Sequence, residues 1–280
     1  MKLSVITDEI SQDFEHALDV MAEYDVRGAE LRCLWDSNLV DLDDDGIQRA
    51  KKLIVDRGVS VSCIASPFFK CDLFDSQTVT GMTHGARERS MEDQRALLEK
   101  CIRLCDIFDT RYIRAFAFWK RGELTDDIER RIIEAFQEPA ARAAEAGVIL
   151  GLENEHACYL GTGVETARVV AAVNSPGLKV VWDPGNAFCA GEDPFPVGYE
   201  AMKPYLIHVH VKDAVRDENG KVSFVRIGDG EIDYAGQFRA LKADGYDGYI
   251  SLETHFKPGG SSEDGSRVCL AALNEMLGAL

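Results

Sequence analysis

The sequence predicts an α/β protein built as a single closed (β/α)8 barrel across residues 1–280. Three observations carry this. Eight strand-like runs alternate with helical patterns along the whole chain, which means βαβ units and a parallel sheet. No linker or low-complexity tract divides the 280 residues, and a barrel of this kind takes about 250. Four of the later strands end in a carboxylate or an imidazole, the way such barrels place chemistry at the C-terminal rim.

The elements follow in order. The strands are read at Leu3–Thr7, Gly28–Arg32, Val59–Ala65, Tyr112–Phe118, Val148–Glu155, Leu178–Asp183, Ile207–Lys212 and Tyr249–His255. The first helix starts at Ser11 as N-cap, with Phe14, Leu18 and Met21 on one face. The second starts at Asp43 or Asp44 and stops at Gly58. A third runs from about Glu88 to Ile107. A fourth spans Thr125 to Ala146, and Pro139 should kink or split it. Gly163–Val173, Tyr199–Met202, Tyr234–Ala243 and Glu263–Leu277 supply the rest. A doubly wound sheet would want glycines after the first strand, where Thr7-Asp8-Glu9-Ile10 has none. Two long loops, Ser66–Arg87 (with Pro67, Phe68, Phe69 and Gly81) and Ala214–Tyr234, fall on the C-terminal face, where they read as binding loops or lids.

Composition removes several classes of function. A formal net charge of −17 repels phosphate backbones and argues against nucleic acid as a partner. No run approaches the roughly 20 apolar residues of a membrane span, and Met1 to Glu9 meets acid too soon for a signal peptide. Eight cysteines without a CxxC pair read as reduced thiols, which places the chain in the cytoplasm.

The chemistry is concentrated at strand ends. In Leu206-Ile207-His208-Val209-His210-Val211-Lys212-Asp213, period-two alternation puts His208, His210 and Lys212 on one face. His210 lies nearer the rim and is the better ligand; His208, a layer deeper, reads as a core histidine supporting it. Together with Glu153, Asp183 and Glu253 it forms an oxygen-rich set suited to Mn²⁺, Mg²⁺ or Co²⁺ and tolerant of Zn²⁺. Three converging anions repel one another, which calls for a cation. Lys212 either steadies an enolate or pairs with an acid. His255 and His156 are placed for a substrate hydroxyl (His255 also for a second metal) or for a loop hydrogen bond. Trp119, Phe68 and Phe116 offer an apolar wall or core packing. Gly259-Gly260-Ser261-Ser262 precedes a helix, but Glu263 and Asp264 oppose a phosphate there.

The segments Leu152-Glu153-Asn154, Trp182-Asp183-Pro184-Gly185-Asn186, His208-Val209-His210-Val211-Lys212-Asp213 and Ser251-Leu252-Glu253-Thr254-His255 resemble the xylose-isomerase-like TIM-barrel superfamily, and within it the sugar phosphate isomerase/epimerase group. The resemblance implies one divalent metal, Mn²⁺ first, held by Glu153, Asp183, His210 and Glu253. It implies Glu153 and Glu253 as acid and base, Arg216 as a substrate contact, and a small sugar as partner. It also implies a homo-oligomer, for which the sequence carries no interface signature. Two positions depart from the epimerases: Asn186 stands where they carry histidine, and Tyr159 where they carry glutamate.

The expected reaction is isomerisation or epimerisation of a sugar or keto-sugar, phosphorylated or not, by proton abstraction next to a carbonyl. Loss of a β-hydroxyl from the same enolate gives the alternative, a dehydratase acting on a keto-polyol. A trinuclear-zinc endonuclease of this superfamily needs more histidines than the six present. A barrel that binds sugar without turnover would need no pair of acids.

Overall fold

The computed structural model describes residues 1–74 and 89–280. Eight strands close into one parallel barrel in the order β1-β8-β7-β6-β5-β4-β3-β2. They are β1 (Lys2–Ile6), β2 (Gly28–Leu31), β3 (Ser60–Phe68), β4 (Tyr112–Ala115), β5 (Ile149–Glu153), β6 (Leu178–Trp182), β7 (Leu206–Val211) and β8 (Tyr249–Leu252). Closure leaves no unpaired sheet edge in the barrel. It also brings the first strand against the last, with Val5 opposite Leu252.

Several crossover helices start at a side-chain cap that the sequence supplies. Asp13, not Ser11, caps α1 (Phe14–Glu23), accepting from the His16 amide at 3.1 Å, while Ser11 Oγ accepts from the Asp13 amide. Asp43 caps α2 (Asp44–Asp56), and Gly58 takes a φ of +61° to end it. The third helix, α3 (Gln94–Phe108), starts later than its pattern suggests, because Ser90 and Asp93 form a hydrogen-bonded turn before it. The fourth, α4 (Asp126–Glu145), runs unbroken through Pro139. The missing N–H there is offset by a fully buried face of Ile132, Phe136, Ala140 and Ala143.

Pro67 and Phe68 belong to β3 rather than to the loop after it. The register shifts between Ile64 and Phe68, and at that irregularity a proline costs no ladder bond. Ser66 Oγ closes the gap by accepting from the Phe68 amide and donating to the Arg114 carbonyl. Positions 75–87 of that loop, Gly81 among them, lie outside the described residues.

After β5, α5 (Gly163–Val173) is closed by a capping box of Thr162 and Glu165. A short helix absent from the sequence reading, α6 (Pro184–Cys189), follows β6 at once. Asp183 is its N-cap and Pro184 its first residue, a pairing visible in the sequence as Asp-Pro. Then come α7 (Tyr199–Met202), α8 (Tyr234–Ala243) and α9 (Ser262–Gly278). The loop after β7 is an antiparallel hairpin, Asp213–Arg216 against Val222–Val225. Buried Asp213 pins its far end by accepting from the amides of Gly228 and Gly230. Among the described residues no helix is long and apolar enough to cross a membrane.

Candidate metal centre

Four strand ends deliver one donor each. Glu153 closes β5, Asp183 follows β6, His210 lies on β7 and Glu253 follows β8. All four are buried, and their ligand atoms lie within 4.8 Å of one another. His210 Nδ1 stands at the middle of the set, 3.1 Å from Glu153 Oε1, 3.6 Å from Glu253 Oε2 and 4.0 Å from Asp183 Oδ2. Local bonds fix the ligands before any ion arrives. Asp183 Oδ1 is committed to the Asn186 amide at 2.8 Å, which leaves Oδ2 facing inward. Asn154 clamps the Asp183 backbone through both ends of its side-chain amide.

The donor set fits a divalent cation. Glu153 Oε2 and Asp183 Oδ2 are buried without a hydrogen-bond partner among the described residues, a state that costs free energy unless a cation faces them. Three carboxylates and one imidazole are hard and borderline donors suited to Mn²⁺, Mg²⁺, Co²⁺ or Zn²⁺.

The protein also brings its own cations, which alters the expectation that three anions alone demand a metal. Lys212 Nζ stands 2.9 Å from Glu253 Oε2, to which it donates, and 2.8 Å from Asp183 Oδ2, without hydrogen-bond alignment to the latter. Arg32 donates to Glu253 Oε1 at 2.9 Å, to Glu9 at 2.5 Å and to Asp8. Arg114 Nη1 is 3.5 Å from Glu153 and 3.7 Å from Glu253. Burial opposes charge on Glu253, yet Lys212, His210 and Arg32 hold its carboxyl well below the ordinary range. At Asp183 burial prevails over Lys212 and raises the carboxyl. Lys212 is held firmly protonated against burial by Asp183 and Glu253. The expected ion pairs of Lys212 with a neighbouring acid are thus present, to both Asp183 and Glu253.

The other expected site residues divide by position. Asn186 Nδ2 donates to Glu153 Oε1 at 3.3 Å, and its Oδ1 is 3.0 Å from His156 Nδ1, so both line the Glu153 side. Tyr159 is buried behind them. His255 stands beside Glu253 and Glu9, edge-on to Phe224 at 4.7 Å. Burial, aided by Lys212, pushes its imidazole down to about 4, so it is neutral at pH 7. A second metal on Glu9, Glu253 and His255 would have to displace the Arg32 guanidinium already bound to both acids. Arg216 lies apart on the exposed hairpin, stacked on Phe188 and donating to the Phe188 and Gly220 carbonyls. Phe68 belongs to the main core, whereas Phe116 and Trp119 form a small cluster with Cys158 beneath the Lys70 ammonium. The turn Pro258–Gly260 leads into α9, whose first amides are capped by Ser261.

Sequence reasoning passed over Glu30, Arg32 and Arg114. The signal was present: Gly28-Ala29-Glu30-Leu31-Arg32 and Tyr112-Ile113-Arg114 are charges inside buried strands, which are rare unless paired. Beside the ligand set a cavity of about 760 Å³ opens toward solvent, lined by Asp8, Glu9, Arg32, Cys33, His255 and Lys257. It is large enough for a small sugar-like molecule.

Comparison with known proteins agrees with this architecture. A family model described as a xylose isomerase-like TIM barrel matches residues 18–274. Inosose dehydratase of Lacticaseibacillus casei is 27% identical over 159 residues, 50% of this chain and 52% of that protein. The match thus spans about half the length of the curated relative. Three solved structures share the fold. The probable 3-DHS dehydratase AsbF of Bacillus anthracis superimposes with a TM-score of 0.76 at 18% identity, covering 98% of this chain and 99% of that one. The IOLI protein with a bound zinc atom gives 0.76 at 15%, covering 100% and 99%. An L-ribulose 3-epimerase gives 0.72 at 19%, covering 100% and 95%. With its family model spanning nearly all of the barrel, the chain belongs to the xylose isomerase-like TIM barrel family.

Proposed function

We propose that residues 1–280 form one catalytic barrel, a divalent-metal-dependent dehydratase acting on a cyclic keto-polyol or oxidised sugar. The observation that carries this is the gathering of Glu153, Asp183, His210 and Glu253 within 4.8 Å, with Lys212 at its edge. A cation held by those four, Mn²⁺ in the first instance, supplies Lewis-acid polarisation of a substrate carbonyl. Glu153, whose Oε2 has no hydrogen-bond donor among the described residues, takes the proton from the carbon beside that carbonyl. The electron pair left behind expels the β-hydroxyl, which leaves as water with a proton from the Lys212 ammonium. His255, His156 and Asn186 bind substrate hydroxyls, and Arg216, held on the exposed hairpin apart from the ligand set, would meet substrate only at its outer edge. The reduced thiols expected of the eight cysteines suit a cytoplasmic enzyme.

Epimerisation or aldose–ketose isomerisation is the second reading, supported by the two glutamates on the ligand set. It requires one glutamate to return a proton, and Glu253 is held ionised by Arg32, Lys212 and His210. Asn186 and Tyr159, at positions where the epimerases carry other residues, weigh the same way. The inosose dehydratase likeness adds support for the lyase.

Incubation with Mn²⁺ and a panel of keto-inositols, 3-keto sugars and ketoses in D₂O, quenched with chelator and followed by NMR, decides. Loss of water from one substrate supports the dehydratase. Deuterium uptake with every substrate atom retained transfers the assignment to epimerase or isomerase. No exchange across the panel, with Glu253→Gln behaving as wild type, rejects enolate chemistry altogether.

A further inference from the structure

Glu30 lies outside both the cavity lining and the four-residue ligand set, yet it is a fully buried acid on β2. Its oxygens meet two imidazoles of β7 at once. His208 Nε2 lies 2.8 Å from Oε2, and His210 Nε2 lies 3.0 and 3.1 Å from Oε1 and Oε2. The two rings stand 5.4 Å apart at 82°, which lets a single carboxylate serve both. Nothing else holds His208 by its polar atoms: its Nδ1 is buried without a partner among the described residues.

We propose that Glu30 is the positioning residue of the metal centre, fixing His210 with its hydrogen on Nε2 and presenting a bare Nδ1 to the ion. The proposal rests on the reading that Glu153, Asp183, His210 and Glu253 bind a divalent cation. A carboxylate is an acceptor only, so the ring nitrogen facing it must carry hydrogen. A metal-bound imidazole has one hydrogen, so Nδ1 is left to donate its lone pair. That atom is the one lying 3.1 to 4.0 Å from the three carboxylates. Partners of this kind orient metal-bound histidines, and their loss weakens metal binding about 10–100-fold. His208 then has a defined task. It is the second anchor of Glu30, not a direct support of His210, with which it shares no hydrogen bond among the described residues.

The test uses zinc, which is diamagnetic. In ¹⁵N-labelled, zinc-loaded wild-type protein, long-range ¹H–¹⁵N spectra should show His210 protonated at Nε2 and coordinated through Nδ1. Coordination through Nε2 overturns the proposal, and this measurement needs no variant to fold. Glu30→Gln keeps the shape but gives the pair an amide donor. Its zinc affinity, from chelator competition, should fall about 10–100-fold while the far-UV spectrum is retained. Affinity within twofold of wild type overturns the proposal alone. A wild-type protein that binds no zinc overturns the metal reading and this inference with it.

Discussion

Lys212→Met removes a cation that bridges Asp183 and Glu253. The ammonium is 2% exposed and stands 2.8 Å from Asp183 and 2.9 Å from Glu253. Methionine keeps the unbranched stem but lacks the ammonium, so the loss is mainly of charge. Removing one partner of a buried ion pair costs about 3–5 kcal/mol, because the other charge is left uncompensated. With an unfolding entropy of about 2.1 cal/mol/K per residue, a chain of 280 residues loses about 1.7 °C of Tm per kcal/mol. The metal-free variant should therefore melt about 5–8 °C below wild type in scanning calorimetry with chelator present. A divalent ion restores positive charge at the same carboxylates, and at 100 times its Kd it adds about 2.7 kcal/mol to whichever form it binds. In wild type the ion competes with the ammonium; in Lys212→Met it does not. Mn²⁺ should then raise the Tm of the variant more than that of wild type and bind it more tightly. Equal Tm values in chelator, or an equal Mn²⁺ shift in both proteins, would refute the claim that Lys212 neutralises the ligand set.

Asp183→Ala should lower bound metal in elemental analysis of the dialysed protein; an unchanged metal content would remove Asp183 from the ligand set. Gly185→Ala should destabilise the fold measurably in urea titration, since a Cβ there would stand 2.7 Å from the Lys212 carbonyl and collide with its side chain; wild-type stability would mean that the β6–α6 turn moves freely off β7. His16, on α1, lies 2.9 Å from Glu263 on α9, and that carboxylate raises the imidazole above its ordinary 6.5. A raised folded-state pKa stabilises fully below the unfolded value and loses its effect as pH rises through the folded one. The stability difference between wild type and His16→Gln should therefore be present near about pH 5.5 and absent near about pH 8.5, small because the pair is exposed, and weaker in high salt. A difference independent of pH would assign it to packing.

Which parts of the fold could be read in advance follows from what local sequence encodes. Strand parity and helix caps are local, so Asp43, Thr125 and the alternation around His210 marked their elements correctly. Pro139 misled because its cost is local while the gain that keeps α4 whole, the buried face from Ile132 to Ala143, is tertiary. The same holds at Pro67, where a register irregularity between β3 and β4 makes room for the ring.

The site divides along the same line. Glu153, Asp183, His210 and Glu253 stood out because each ends an apolar run, and closure of the barrel brings such ends together. The expectation of a metal from repulsion alone was incomplete because it counted only the acids. Arg32 follows β2 and Arg114 lies on β4, each more than a hundred residues from Glu253, and only closure sets them against it. On the proposed dehydratase reading, a Glu253 kept ionised by Lys212, His210 and Arg32 has no proton to return, so the two-glutamate relay would lose a member and the acid would have to come from elsewhere, Lys212 in that reading. In that reading the residues that would separate water loss from epimerisation are the cations around the ligand set, and two of them, Arg32 and Arg114, are passed over by a reading guided by carboxylates.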